Sequence, residues 1–172
     1  MFQSREKLVL SRLDRISARV AAITEVLVIA AATAMILALV LQVFSRYVLG
    51  SAFSWTEEAA LGLFTWTILL AATTAIRDVA HVKLDMIVSW LPPRARLVWS
   101  SFVAFLVLAF CLVFAWTGTL YVEESLGQVT AALRLPVSYV YLAAPVTGLL
   151  GAFHALVRLL VPLDLTKTDS FA

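Results

Sequence analysis

The sequence has few charged residues for its length and a single cysteine. Of its 172 residues, 14% are charged and 62% are hydrophobic, whereas soluble domains contain ~25% charged and ~45 to 50% apolar residues. A water-soluble globule of this composition could not cover its surface with polar groups, so the sequence predicts an integral membrane protein. Cys111 has no second cysteine with which to form an intramolecular disulfide or a cysteine metal cluster.

The sequence also lacks a strong charge of either sign. Thirteen Lys and Arg residues against 11 Asp and Glu residues give a net charge of +2. A surplus this small provides no basic surface for phosphate groups, so we expect no nucleic-acid partner. The lipid bilayer is the expected environment.

Four apolar stretches contain no Asp, Glu, Lys or Arg: 26–45, 59–76, 97–116 and 137–157. Each is long enough to cross a hydrocarbon core of ~30 Å as a helix. Because they are apolar on every face, they do not fit the alternating strands of a membrane barrel. The sequence therefore predicts an all-α integral membrane protein, a single domain with four transmembrane helices.

The positions of lysine and arginine set the predicted orientation. Eleven of the 13 lie in the N-terminal tail, the second loop and the C-terminal tail, so the positive-inside rule places both termini in the cytoplasm. Amphipathic patterns in the tail and in the second loop predict helices that lie along the inner interface. The predicted segments are a cytoplasmic amphipathic tail at 1–19, spans at 20–45, 57–76, 94–120 and 137–160, an interfacial helix at 78–91, and a cytoplasmic tail at 161–172.

The middle of each predicted span lacks ionisable side chains. Glu25 and Gln42 lie near opposite ends of the first span. A transporter that moves a solute by itself usually carries ionisable groups or broken helices near the bilayer midplane. We therefore expect no catalytic, cofactor-binding or metal-binding residues, and a small self-assembling transporter is disfavoured.

The two histidines keep one alternative open, a haem-binding four-helix membrane anchor of a redox enzyme. His81 lies in the second loop and His154 late in the fourth span, both toward the cytoplasmic side. His81 belongs to the polar face of the interfacial helix, where a solvated or salt-bridged histidine is the ordinary expectation. His81 and Asp85 could share a metal, but a third ligand is missing.

Small residues spaced four apart predict close helix packing, because they let two backbones approach in lipid. Two ridges have this pattern: Ala144, Gly148 and Ala152 on the fourth span, and Ala30, Ala34 and Ala38 on the first. Either ridge could serve packing within this chain or docking to another chain.

The start of the second span carries the pattern of a capping box. In such a box the Ser54 hydroxyl accepts a hydrogen bond from the Glu57 amide, and the Glu57 carboxylate accepts one from the Ser54 amide. This interpretation accounts for Ser54 and Glu57 but not for Glu58, Trp55 and Arg46. The latter three are therefore the better candidates for contact with a partner at the outer interface.

In order and spacing, these features resemble the small membrane subunit of tripartite ATP-independent periplasmic (TRAP) transporters, the DctQ-like proteins. The resemblance runs from about residue 34 to 151. The matching residues are Arg46, Tyr47, Ser54, Trp55, Thr56, Glu57, Glu58, Arg77, His81, Asp85, Leu91, Pro92, Gly127, Gln128, Thr130, Ala131, Leu133, Pro136, Tyr139 and Pro145.

The resemblance implies a non-enzymatic scaffold in the bacterial inner membrane. In such systems a periplasmic binding protein captures an organic acid and a large multi-span membrane subunit carries it inward; the small subunit packs beside the large one and helps to present the periplasmic docking face. The resemblance assigns no catalytic residues to this chain; it only marks positions that match the family's motif. The candidate partner-interface residues are Arg46, Trp55, Glu57 and Glu58 on the outer side, and Arg77, His81 and Asp85 on the inner side.

Overall fold

The computed structural model describes the backbone of residues 2–51, 53–82 and 92–160, and the side chains of residues 11–51, 53–77, 92, 95 and 98–160. Within these backbone ranges, five helices follow one another: α1 (Phe2–Tyr47), α2 (Ser54–Val82), α3 (Pro93–Glu124), α4 (Ser138–Tyr141) and α5 (Ala143–Leu160). Among the described residues, four segments are long and apolar enough to cross a membrane: Ser11–Tyr47, Ser54–Arg77, Val98–Glu124 and Ser138–Leu160. The prediction of an all-α fold with four potential spans is confirmed.

The helices are longer than the predicted spans. The tail predicted at 1–19 and the first span form one continuous helix, α1. Helix α2 likewise continues from the second span into the predicted interfacial segment as far as Val82. Residues 83–91 of that segment and the tail at 161–172 lie outside the described residues.

The fourth span is interrupted at Leu142, between α4 and α5. Pro145 has no backbone N–H, so it cannot donate to the carbonyl of Tyr141 four residues earlier. The next residue, Val146, again makes a helical hydrogen bond, because its N–H donates to the Leu142 carbonyl at 3.2 Å. The proline therefore has a structural role.

The spans lie side by side in the order α1, α2, α5, α3, so that α1 and α3 form the two edges. Each edge helix packs mainly on one neighbour, α1 on α2 and α3 on α5. The end that carries the described parts of both termini is called the terminal end below. The opposite end, which carries residues 48–53 and 125–137, is called the loop end.

Helix α1 contacts its neighbours through one narrow stripe of mostly small side chains. The buried and half-buried residues of this stripe recur every three or four positions: Ser17, Ala21, Thr24, Val28, Ala31, Met35, Ala38, Gln42 and Ser45. This is the spacing of a coiled-coil seam. Of the alanine ridge noted in the sequence, Ala30 and Ala34 are exposed, so that ridge does not form the contact within this chain.

Helices α3 and α5 meet along a seam of small residues. A Cβ atom added to Gly148 would lie 2.7 Å from the backbone nitrogen of Ala115, and one added to Gly118 would lie 2.8 Å from Cβ of Ala144. The two backbones are therefore close enough to exclude a larger side chain at these positions. Ala152, the third residue of the predicted ridge, is buried at 7% relative exposure.

Candidate functional site

The start of α2 differs from the predicted capping box. The helix begins at Ser54, so the N-cap position is Phe53, whose apolar side chain cannot cap. The Phe53 carbonyl instead accepts hydrogen bonds from the Thr56 N–H at 3.2 Å and from the Thr56 hydroxyl at 2.6 Å. Neither hydrogen bond of the predicted box forms between Ser54 and Glu57. The prediction was wrong because Ser54 is the first residue of the helix, whereas a capping box needs it at the N-cap position before the helix.

Glu58, the next carboxylate, is the one that makes contacts. Its Oε1 accepts a hydrogen bond from the backbone N–H of Ala132 at 2.8 Å, and its Oε2 accepts one from the N–H of Leu133 at 2.9 Å. Hydrogen bonds to an ionised carboxylate are stronger than those between neutral groups. Glu58 therefore ties the start of α2 to the loop between α3 and α4.

That loop, residues 125–137, has a conformation that presents both amides to Glu58. Val137 N–H donates to the Gln128 carbonyl at 3.0 Å, and Thr130 N–H donates to the Leu135 carbonyl at 2.9 Å. These bonds close a hairpin-like turn with Ala132 and Leu133 at its tip. Consecutive N–H groups in a tight turn form a concave site for an anion, and here the anion is a side chain of the same protein.

The other outer candidates, Arg46, Trp55 and Glu57, are exposed at the loop end. The ring of Trp55 stacks on Phe53 with 6.5 Å between centroids. Glu57 lines an open pocket of about 400 Å³ beside the Glu58 contact; its lining residues are Ser54, Glu57, Glu58, Leu61, Ala131 and Ala132. The loop end thus combines one carboxylate held within the chain with a neighbouring carboxylate that faces outward.

A second link joins α2 to α4 deeper along the helix. The indole N–H of Trp66 donates to the Tyr139 carbonyl at 3.1 Å. Neither this contact nor the one made by Glu58 has a local signal, because the partners lie more than 70 residues apart in the chain. The one clue was that the capping-box interpretation left Glu58 without a role.

At the terminal end, Arg77 lies 3.8 Å from Asp14 of α1, and the Asp14 side chain is 62% exposed. The other two inner candidates are His81 and Asp85. His81 belongs to α2, but its side chain is not among the described ones. Asp85 falls within 83–91, outside the described residues. The predicted cluster of Arg77, His81 and Asp85 is therefore described only at Arg77, where it forms an ion pair within the chain.

The second histidine is buried between α1 and α5. His154 Nδ1 lies 2.8 Å from the hydroxyl oxygen of Ser17. Within the described ranges, His, Cys, Asp and Glu residues form no group of three that could hold a metal ion. The haem alternative gains no support from these contacts.

Comparison with known proteins gives a consistent picture. Residues 35–164 match the family described as tripartite ATP-independent periplasmic transporters, DctQ component. A putative TRAP transporter small permease protein of Haemophilus influenzae is 26% identical over 136 residues, which is 79% of this chain and 84% of that protein.

Two similar proteins are much longer than this chain. The sialic acid TRAP transporter permease protein SiaT of Haemophilus influenzae is 28% identical over 116 residues, or 67% of this chain and 19% of that protein. The isethionate TRAP transporter permease protein DctMQ of Oleidesulfovibrio alaskensis is 33% identical over 95 residues, or 54% of this chain and 15% of that protein. The present sequence thus matches a small part of each.

The family match includes the α2 start with Glu58, the loop that Glu58 holds, and the α3–α5 seam. The chain belongs to the DctQ family, the small permease subunits of TRAP transporters.

Proposed function

We propose that this chain is the non-catalytic small permease subunit of a TRAP-type secondary transporter for organic acids, in the bacterial inner membrane. The family supplies the transporter class. Two relatives are named for sialic acid and isethionate, both of which are organic acids. The excess of lysine and arginine at the terminal end favours a cytoplasmic position for both termini.

The proposed partners are a large multi-span membrane subunit and a periplasmic substrate-binding protein. In the two long relatives, sequence similar to this chain is part of a much longer permease protein. A covalent link of that kind supports a large membrane partner for a chain that carries the small part alone. The binding protein follows from the transporter class, and it would dock at the loop end.

The observation that carries this proposal is the contact of Glu58 with the 125–137 loop. A loop held by two hydrogen bonds to an ionised carboxylate loses less freedom on docking than a loose loop, so its surface is already shaped for a partner. Arg46, Trp55 and Glu57 surround this loop end as exposed contact residues, and Glu58 acts by fixing the loop. On the cytoplasmic side, Arg77, His81 and Asp85 are the corresponding candidates.

Uptake into proteoliposomes tests the proposal. The chain, the large membrane subunit and the binding protein of one transporter are purified and reconstituted together or with one component omitted. We expect gradient-driven uptake of a radiolabelled organic acid with all three, and none with this chain alone. Transport by the chain alone, or undiminished transport without it, would contradict the proposal.

A further inference from the structure

Glu25 is a charged side chain on the apolar outer surface of α1. It is exposed, in contrast to Thr24 beside it, which is 4% exposed at the contact with the neighbouring helices. Residues on the same side of α1, turned away from α2, are also exposed. This Glu25 face consists of Ala22, Glu25, Ile29, Thr33, Ile36 and Val40.

In the sequence, Glu25 lies near the end of the first predicted span. In the structure, Glu25 lies deeper than that position suggested. Ser17 contacts His154 at 2.8 Å, and His154 lies within the span Ser138–Leu160. Glu25 lies eight residues beyond Ser17 toward the loop end, which is about 12 Å along a helix. Its carboxylate is therefore at the depth of the spans, where a lipid-facing charge is unfavourable.

A partner is needed to satisfy this carboxylate. Among the described residues, the ion pairs include no contact of Glu25. The opposite edge of the molecule has no comparable group, because α3 carries no Asp, Glu, Lys or Arg between residues 97 and 122. Its exposed residues, such as Phe105, Phe110 and Val113, are apolar and suit lipid tails. The two edges of the molecule thus differ in charge.

We propose that the Glu25 face is the surface on which the large membrane subunit docks, and that the subunit presents a basic side chain to Glu25. This inference rests on the function proposed above, which supplies a large membrane partner. The pairing of charge at this depth favours a protein partner over lipid, since lipid tails offer neither a cation nor a hydrogen-bond donor.

Co-purification from membranes tests the docking face. The affinity-tagged full chain is co-expressed with the large membrane subunit of the same transporter, and the recovered large subunit is quantified. Glu25→Leu is expected to lower recovery by at least about tenfold, since loss of one partner of a buried charge pair weakens binding strongly. Glu25→Lys is expected to lower it further through repulsion. Glu124→Leu, at an exposed site at the loop end, is the matched control and should not change recovery.

A steric pair of variants provides an independent measurement. Ile29 on the Glu25 face is 60% exposed and Val113 on α3 is 62% exposed. Ile29→Trp should reduce recovery of the large subunit, whereas Val113→Trp should leave it unchanged. The reverse pattern would place the partner on α3 and overturn the proposal.

Measurements on the isolated chain separate docking from folding. Glu25→Leu removes a charge from an exposed apolar face, so the purified variant should unfold at the same temperature as wild type or higher. If its unfolding temperature falls instead, its loss of recovery reflects folding and the inference fails.

Two further outcomes distinguish this inference from the proposed function. If wild-type chain recovers no large subunit, the proposed function fails. If wild type does recover it and Glu25→Leu and Ile29→Trp match their controls, only the docking face is wrong. Two differently tagged copies of this chain that separate on Glu25→Leu, with the large subunit retained, would assign the face to self-association and also overturn the inference.

Discussion

The carboxylate of Glu58 accepts a hydrogen bond of 2.8 Å from the backbone N–H of Ala132, which lies 74 residues later in the chain. The bond connects the N-terminal part of α2 to the tip of the loop between α3 and α4. A second bond from the adjacent amide makes the contact two-pronged. The position of the loop is therefore set by a side chain of α2.

Replacement of Glu58 by glutamine should loosen this loop. The glutamine carbonyl can accept only one of the two N–H groups, and its NH2 group faces the other. The hydrogen bonds to the ionised carboxylate are lost or weakened, so we expect a marked gain in hydrogen–deuterium exchange at 130–135. Glu57→Gln is the matched control, because Glu57 is exposed. Equal exchange in the two variants would contradict the proposed role of Glu58.

In the assembled transporter, Glu58→Gln should lower uptake while the amount of protein in the membrane stays near normal. A loose loop must be ordered when the binding protein docks, which weakens docking. Addition of excess binding protein should restore part of the uptake rate. Uptake that stays at the wild-type level would mean that the 125–137 loop does not contribute to docking.

Addition of a single methyl group at the seam between α3 and α5 should destabilise the protein. Gly148→Ala would place Cβ 2.7 Å from the backbone of Ala115, whereas Gly62→Ala would place it 3.7 Å from the nearest atom, on Val140. Overpacking of this kind destabilises by roughly 1 to 3 kcal/mol. Thermal unfolding in detergent should show a lower midpoint for Gly148→Ala only. An unchanged unfolding midpoint for that variant would show that the two helices can move apart at this seam without loss of stability.

The helix start should depend on Thr56 and not on Ser54. Thr56 is fully buried at 0% exposure, and its hydroxyl donates to the Phe53 carbonyl at 2.6 Å. Thr56→Val should therefore lower stability by about 1 kcal/mol, while Ser54→Ala should change it by less than about 0.5 kcal/mol. Both values come from unfolding of the purified chain. A larger loss of stability for Ser54→Ala than for Thr56→Val would support the capping box and contradict this prediction.

Near the terminal end, the buried contact of Ser17 with His154 should matter more than the exposed ion pair beside it. Ser17→Ala removes the hydroxyl 2.8 Å from His154 Nδ1 in a buried setting, with an expected loss of roughly 1 to 3 kcal/mol. Asp14→Asn weakens the pair with Arg77, in which Asp14 is 62% exposed, with an expected loss of about 0 to 1 kcal/mol. If the two variants lose similar amounts of stability, burial does not determine how much each contact contributes at the terminal end.

The sequence by itself determined the class of the molecule and its potential spans. Lengths of apolar sequence free of charge are enough for that, because a helix satisfies its own backbone and needs no distant partner in lipid. The interruption before Pro145 has a local cause, since a proline lacks a backbone N–H wherever it stands. The order of the quoted residues further indicated the family.

Only the tertiary structure decided the roles of the carboxylates. Glu57 and Glu58 are adjacent and chemically almost equal in the sequence, yet one faces outward and the other holds the amides of Ala132 and Leu133. Their rotation about the helix by ~100° per residue has a consequence only once a loop from another part of the chain arrives on one side. Glu25 is a similar case, because its depth and its exposed side depend on which stripe of α1 packs against its neighbours.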